Sequence, residues 1–356
     1  MRSLPASKGR GATGNDASVR FDAKLRIADG DWLDSAGADD LAPLRTEISF
    51  EMPRTAITRN QSPDVPFDRS INAWRGCEHG CVYCFARPTH AYLGLSPGLD
   101  FESRITVKRG LAERLRAELV RPGYECRPIA LGTNTDPYQP VEAKYRTTRQ
   151  ILAVLDATNH PVMITTKSAR ILDDLPRLAA MAQRGLASVM ISLTSLTPAT
   201  ARTMEPRASS PARRLEAMRA LAGAGVPVAV SASPMVPAIN DHELEAILKA
   251  AAAAGATMAS MIMLRLPHEV APIFRAWLDR HYPDRAARVM ALVREMRGGK
   301  DNEGNFFERF RARGGYADAL RARFHAARRR HGLERRDIGQ LRTDLFSPPG
   351  QQLSLL

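Results

Sequence analysis

The sequence predicts an α/β fold: an open, partial (β/α)6 barrel of the TIM type, with a disordered N-terminal arm and a helical C-terminal region. Three observations carry this. Short apolar runs alternate with helical patterns six times between residues 70 and 264. The runs are continuous, as in parallel strands covered on both faces. No G-x-G-x-x-G follows the first run, so a dinucleotide-binding sheet is not indicated.

The elements follow in order. Residues 1 to about 45 are rich in Gly, Ala, Ser, Asp and basic residues without a period, and Lys8 to Asn15 reads as flexible. Trp32 and Leu33 are candidates for local docking. A linker with Pro53, Pro63 and Pro66 leads to the first strand, Ser70 to Trp74. Leu111, Leu115 and Leu119 predict a helix over 109–120. Strands follow at 128–132, 162–166, 187–193, 227–233 and 257–264. Between them lie helices at 147–158, at 171–184 with an early interruption at Pro176, at 211–224 closed by Gly225, and at 241–254. Asn240 or Asp241 is the expected N-cap of the last. After Pro267 the pattern is helical and basic, with arginines interleaved among Phe306, Phe307, Phe310, Tyr316 and Phe324. Leu320, Phe324 and Ala327 make an apolar stripe that should pack on the barrel. The implied divisions are an arm and linker over 1–60, a core over 61–267, a helical basic region over 268–346 and a tail over 347–356.

Bulk properties set the class. The chain has 356 residues and a net charge of +13, and its pI is about 10.1. Such a balance suits an anionic partner, nucleic acid being the commonest. A generally Arg-rich composition gives the same charge without one. Four cysteines, three of them clustered, indicate a reducing compartment rather than a disulfide framework. No run reaches the roughly 18 to 20 apolar residues of a membrane span. The first residues lack an apolar secretory core, so a cytoplasmic location without membrane association is expected.

The chemistry concentrates in Arg75 to Arg87, where Cys77, Cys81 and Cys84 are spaced C-x3-C-x2-C. Three thiols in one loop, with no second Cys/His knuckle, suit an iron–sulfur cluster better than structural zinc. Three thiolates on a four-iron cube leave one iron open for a ligand. A zinc site completed by His79, or three inert thiols, are the competing readings. Gly76 and Gly80 allow tight folding around a bulky group, and Val82, Tyr83 and Phe85 would shield it from water.

This loop, with Tyr83 before the third cysteine, resembles the signature of the radical S-adenosylmethionine (radical SAM) superfamily. The resemblance spans about residues 68 to 345. It implies a [4Fe-4S] cluster, S-adenosyl-L-methionine as the second cofactor, reductive cleavage to a 5′-deoxyadenosyl radical, and an electron donor such as flavodoxin or ferredoxin. It also implies roles for the strand ends. Thr133, Asn134 and Thr135 would meet the methionine amino group, with Tyr83 beside them. Ser192 and its neighbours would meet the ribose. Arg207 would pair with the carboxylate, with Arg214 as its rival. Val226 to Pro234 resembles the segment along the adenine. Lys167 is a weaker candidate for an anion, and Asp136 has the alternative role of capping a turn. Arg265, ending the sixth strand, is a candidate substrate contact.

The segments 135–142, 205–207 and 265–267 look like the subgroup related to spore photoproduct lyase, often called DNA repair photolyases. One position departs from it. Where those lyases place a hydrogen-donating cysteine, this chain has Thr133, so thymine-dimer reversal by that route is not implied. Cys126 lies before the strand and reads as a bystander. The substrate is left open between nucleic acid, a protein and a small molecule, and a non-catalytic iron–sulfur module that binds nucleic acid is the alternative class. The arginines of 306–330 are candidates for nucleic-acid contact. The tail, Gln352-Leu353-Ser354-Leu355-Leu356, resembles the peptide by which DNA repair proteins hold a sliding clamp.

Overall fold

In the computed structural model, residues 9–16, 18, 20, 44–335 and 340–350 are described. Trp32, Leu33 and the clamp-like Gln352–Leu356 lie outside the described residues. The chain opens with β1 (Glu47–Glu51), β2 (Thr58–Arg59), β3 (Arg69–Ile71) and β4 (Trp74–Arg75). The cysteine loop follows, then α1 (Leu99–Ser103), β5 (Arg104–Lys108) and α2 (Leu111–Leu119). Next come β6 (Ile129–Leu131), α3 (Glu142–Tyr145), α4 (Thr147–Ala157), β7 (Val162–Thr166), α5 (Leu175–Gln183) and β8 (Ala187–Ser192). Then α6 (Pro198–Met204), α7 (Pro211–Gly223), β9 (Val228–Met235), α8 (Leu244–Ala253) and β10 (Met258–Met263) complete the core. The helices α9 (Val270–His281), α10 (Pro283–Glu295) and α11 (Gly315–Arg330) finish the chain.

The main sheet has the order β10-β9-β8-β7-β6-β3-β2. Its six strands β3 and β6 to β10 all pair parallel, in chain order. This is the expected partial barrel, and the two edge strands do not pair with one another. The reason lies in the side chains. On one face Val162, Ile164, Val189, Ile191, Val228 and Val230 are at most 1% exposed and join one core cluster with the helices. The opposite face is different. Register places Ala130, Met163 and Ser188 in one row, then Thr165, Met190, Ala229 and Met258, then Ser192, Ser231 and Ser260. Barrel interiors are usually plugged by bulky branched residues. Here the lumen-facing residues are small or unbranched, and Met163, Thr165, Met190, Met258 and Ser260 keep partial exposure. The lumen is left open to a ligand.

Several local expectations change. A second sheet, in the order β1-β5-β4, was not anticipated. Its β1 lies within the span assigned to arm and linker, and its strand β5 buries Ile105 and Val107 by simple alternation. Helix α6 was also missed. Pro176 does not interrupt a helix; it sits in the first turn of α5, where its missing N–H costs nothing. Asn240 makes no cap bond and is instead buried beneath the strand ends. Residues 9–16, read as flexible, are hydrogen-bonded to the core. The N–H groups of Gly11 and Ala12 donate to Glu102 at 2.8 and 2.7 Å, and Leu99 N–H donates to the carbonyl of Gly14 at 3.2 Å. Among the described residues no helix is long and apolar enough to cross a membrane.

The apolar stripe of α11 is buried as expected: Ala317, Leu320, Phe324 and Ala327 face inward. Many arginines of this region are already satisfied within the chain. Arg321 pairs with Asp318, Arg323 with Glu245 and Arg328 with Glu334.

Candidate active site

The cysteine loop sits at the C-terminal end of the parallel strands. Two of its turns need glycine. Gly76 and Gly80 have φ of +79° and +65°. A Cβ at these positions would lie 2.8 Å from the Phe101 carbonyl oxygen and 2.7 Å from Glu102 Oε2. The loop is held by Arg87, which sequence reasoning passed over. Its guanidinium is fully buried and donates to the carbonyls of Gly80, Cys81, Pro97 and Gly98 at 2.8–3.0 Å, and to Glu102. Glu102 in turn accepts from Gly11 and Ala12. The N-terminal segment and the cysteine loop therefore share one buried ion pair.

Two strand ends are stitched to the loop. After β6, Gln139 donates to the Gly76 carbonyl at 3.2 Å and accepts from Glu78 N–H at 2.7 Å. Asp136 Oδ2 lies 3.3 Å from His79 Nδ1. Burial pushes the Asp136 carboxyl up, but His79, Thr166 and the Lys167 N–H hold it down at about 2. Asp136 also accepts from Tyr138 N–H at 2.9 Å, the turn-capping role foreseen for it. After β8, the Tyr83 hydroxyl donates to Glu205. Glu205 also accepts from Thr194 at 2.6 Å and from Arg214. Burial opposes ionisation of Glu205, yet Arg214 and Lys167 hold it at about 2. Backbone bonds from Val82 to Met204 and from Arg207 to His79 close this seam.

Cys77 and Cys81 are each 7% exposed, and Cys84 is half-buried. Burial pushes the Cys77 thiol far up, and the Cys81 thiol to about 12 despite Lys167. Bare thiolates are costly here; an electropositive group bound to all three would relieve that cost. His79 turns its Nδ1 to Asp136. Among the described residues, no group of three or more His, Cys, Asp and Glu side chains is set to hold a single metal ion.

The remaining site residues fall as follows. Thr133 and Asn134 are half-buried after β6, and Asn134 N–H donates to Asn72 at 3.2 Å. Thr135 is 4% exposed and its hydroxyl has no hydrogen-bond partner. Ser192 and Thr194 reach the Ser233 carbonyl at 3.4 and 3.2 Å. Asn240 donates to the carbonyls of Thr194 and Pro234, which fixes that seam from below. Arg207 pairs with Glu78 at 3.1 Å and touches Thr46. Arg214 is fully committed to Glu205 and the carbonyls of Ser192 and Ser209. The Lys167 ammonium lies 5.9 Å from the Tyr83 ring centre and, among the described residues, makes no hydrogen bond. Cys126 precedes β6, at the far end of the strand.

Residues 71–251 match the Radical SAM superfamily. The chain belongs to that superfamily. As a radical SAM enzyme it has relatives in distant lineages. Uncharacterized protein Rv2578c of Mycobacterium tuberculosis is 38% identical over 71% of this chain and 76% of its own length. Uncharacterized protein MJ0683 of Methanocaldococcus jannaschii is 25% identical over 49% of this chain and 62% of its own. Among solved structures, a mutant of spore photoproduct lyase superposes with a TM-score of 0.57 over 80% of both chains, at 16% identity. The same enzyme complexed with dinucleoside spore photoproduct gives 0.55, also at 16%. These likenesses establish the fold of the radical SAM core.

Proposed function

We propose that this radical SAM enzyme holds a [4Fe-4S] cluster on Cys77, Cys81 and Cys84 and acts on nucleic acid. The observation that carries the first part is the buried three-thiol loop at the strand ends, with its unpaired hydroxyl and cation nearby. When bound and reduced, the cluster supplies one electron to the sulfonium of S-adenosylmethionine, giving methionine and a 5′-deoxyadenosyl radical.

The protein's own residues bind and orient. Thr133, Asn134 and the partnerless hydroxyl of Thr135 supply acceptors for the methionine amino group. Arg207 meets the carboxylate by exchanging Glu78 for it, and Lys167 adds a second cation that needs no exchange. Ser192 and Thr194 offer hydroxyls to the ribose. The Glu205–Arg214 pair fixes Tyr83 and so the position of the loop. The open, serine-lined lumen admits the substrate.

Nucleic acid is favoured by the charge of +13 and by the unpaired guanidinium of Arg265 above the site. The C-terminal Gln352–Leu356, as a clamp ligand, would hold the enzyme at DNA. The test is isotope transfer. With a deuterated single-stranded oligodeoxynucleotide, the 5′-deoxyadenosine formed should carry deuterium. Deuterium arriving only from peptides or small molecules would move the enzyme to the alternative substrate class.

A further inference from the structure

The barrel is open between β10 and the β2–β3 edge, and residues 305–311 span that opening. Two arginines anchor the span. Arg297, 4% exposed, donates to the carbonyls of Met263 and Leu264 at the end of β10 and to those of Arg309 and Arg311 in the span. On the other side Arg309 pairs with Asp64, in the linker ahead of β3, and the N–H of Phe307 donates to the same carboxylate at 3.1 Å.

The span carries aromatic rings to the surface. Phe306 and Phe307 are 51% and 53% exposed, and Phe85, next to Cys84, is 49% exposed. Phe307 has φ of +66°, a conformation that costs a bulky residue energy. Asp64 holds it there with its ring in solvent. Guanidinium groups lie between the rings. Arg265 is 5.3 Å from the Phe85 ring centre and 4.8 Å from that of Phe310. Arg309 is 4.9 Å from Phe310 and 5.0 Å from Phe306. The row thus runs from the cysteine loop outward as ring, cation, ring, cation, ring. Among the described residues Arg265 has no hydrogen bond or ion pair, and burial together with Arg309 and Arg297 lowers its pKa to about 10. A cavity of about 600 Å³ opens behind the same span, with Arg311, Arg313 and Arg321 on its wall.

We propose that this row is a stacking platform for unpaired bases of one nucleic-acid strand, placed at the mouth of the radical site. The proposal rests on nucleic acid being the substrate. Rings half in solvent offer π-faces, which only unstacked bases can use; a duplex hides its base faces. Unpaired positive charge beside the rings suits the phosphates of that strand.

The test is fluorescence anisotropy with the reconstituted full chain, a labelled oligothymidylate and a hairpin duplex of equal length. The expected result is tighter binding of the single strand. Phe306→Ala and Phe307→Gly should each weaken it about tenfold, with the duplex unaffected. Glycine accepts the backbone of Phe307, and a circular dichroism spectrum matching the native chain separates the loss of binding from misfolding. Arg265→Ala should lower the slope of log affinity against log salt by roughly 0.7. Unchanged single-strand binding in both phenylalanine variants, or equal binding of the duplex, would overturn the platform. The isotope transfer separates this from the substrate assignment. Transfer that persists in those variants with their single-strand affinity unchanged sinks the platform alone. Binding that depends on the rings without any transfer sinks the nucleic-acid substrate and leaves the platform.

Discussion

The same pair of residue types, arginine and carboxylate, is used in two opposite ways in this molecule. Around the cysteine loop the pairs are sealed: Arg87 with Glu102 is 0%/0% exposed and Arg214 with Glu205 is 2%/0%. For the arginines of α11 they lie open: Arg323 with Glu245 of α8 is 40%/41% and Arg321 with Asp318 is 41%/66%. A buried pair gains little net stability over an apolar substitute, but losing one partner leaves a bare charge in the interior. An exposed pair is screened by water and contributes little either way. The first region is built to hold one geometry. The second leaves its surface free to meet something else.

The contrast is sharpest at Arg87. Arg87→Ala should destabilise the chain by about 3–5 kcal/mol, seen in urea unfolding, and should reduce iron loading because the loop carbonyls of Gly80 and Cys81, and those of Pro97 and Gly98 beside them, lose their donor. Arg87→Met with Glu102→Gln should recover part of the stability. A loss below about 1 kcal/mol would mean that the loop does not depend on the pair.

A somewhat smaller effect is expected at Glu142, which lies behind Gln139. Burial raises its carboxyl from 4.5 to about 7, against bonds from Thr148 and Arg149, and Oε2 has no partner. The folded value lies above the unfolded one. The contribution to stability is therefore full below about pH 4.5 and is lost as pH rises through 7. Glu142→Gln should raise stability at pH 8 by up to about 3 kcal/mol relative to wild type, and leave it nearly unchanged at pH 4. Parallel pH profiles of the two proteins would refute the shift.

The smallest change belongs to the exposed pairs. Arg323→Ala and Arg321→Ala should each alter stability by less than about 1 kcal/mol. A loss as large as that at Arg87 would erase the distinction between the two regions.

How much of this was legible beforehand follows the same division. The six parallel strands were readable because runs such as Val162 to Thr166 must be apolar where helices cover them. The grouping of the three cysteines in one loop was readable because their spacing is local. The small sheet was not, since β1 is a short segment with Phe50 largely exposed. Arg87 and Glu102 lie 15 residues apart, and Gly11 meets Glu102 across 91. No periodicity marks such pairs. Nor does any local signal separate Arg207, which rests on Glu78, from Arg214, which is sealed against Glu205. The surroundings of Lys167 were hidden for the same reason: only the fold brings it to Cys81 and Tyr83.

The most direct measurement is anaerobic reconstitution followed by reduction with dithionite and S-adenosylmethionine. The native chain should carry about four irons and form 5′-deoxyadenosine. Cys77→Ala, Cys81→Ala and Cys84→Ala should each lose both. A native chain that binds one zinc and no iron, or an alanine variant that still forms 5′-deoxyadenosine, would contradict the cluster at this loop.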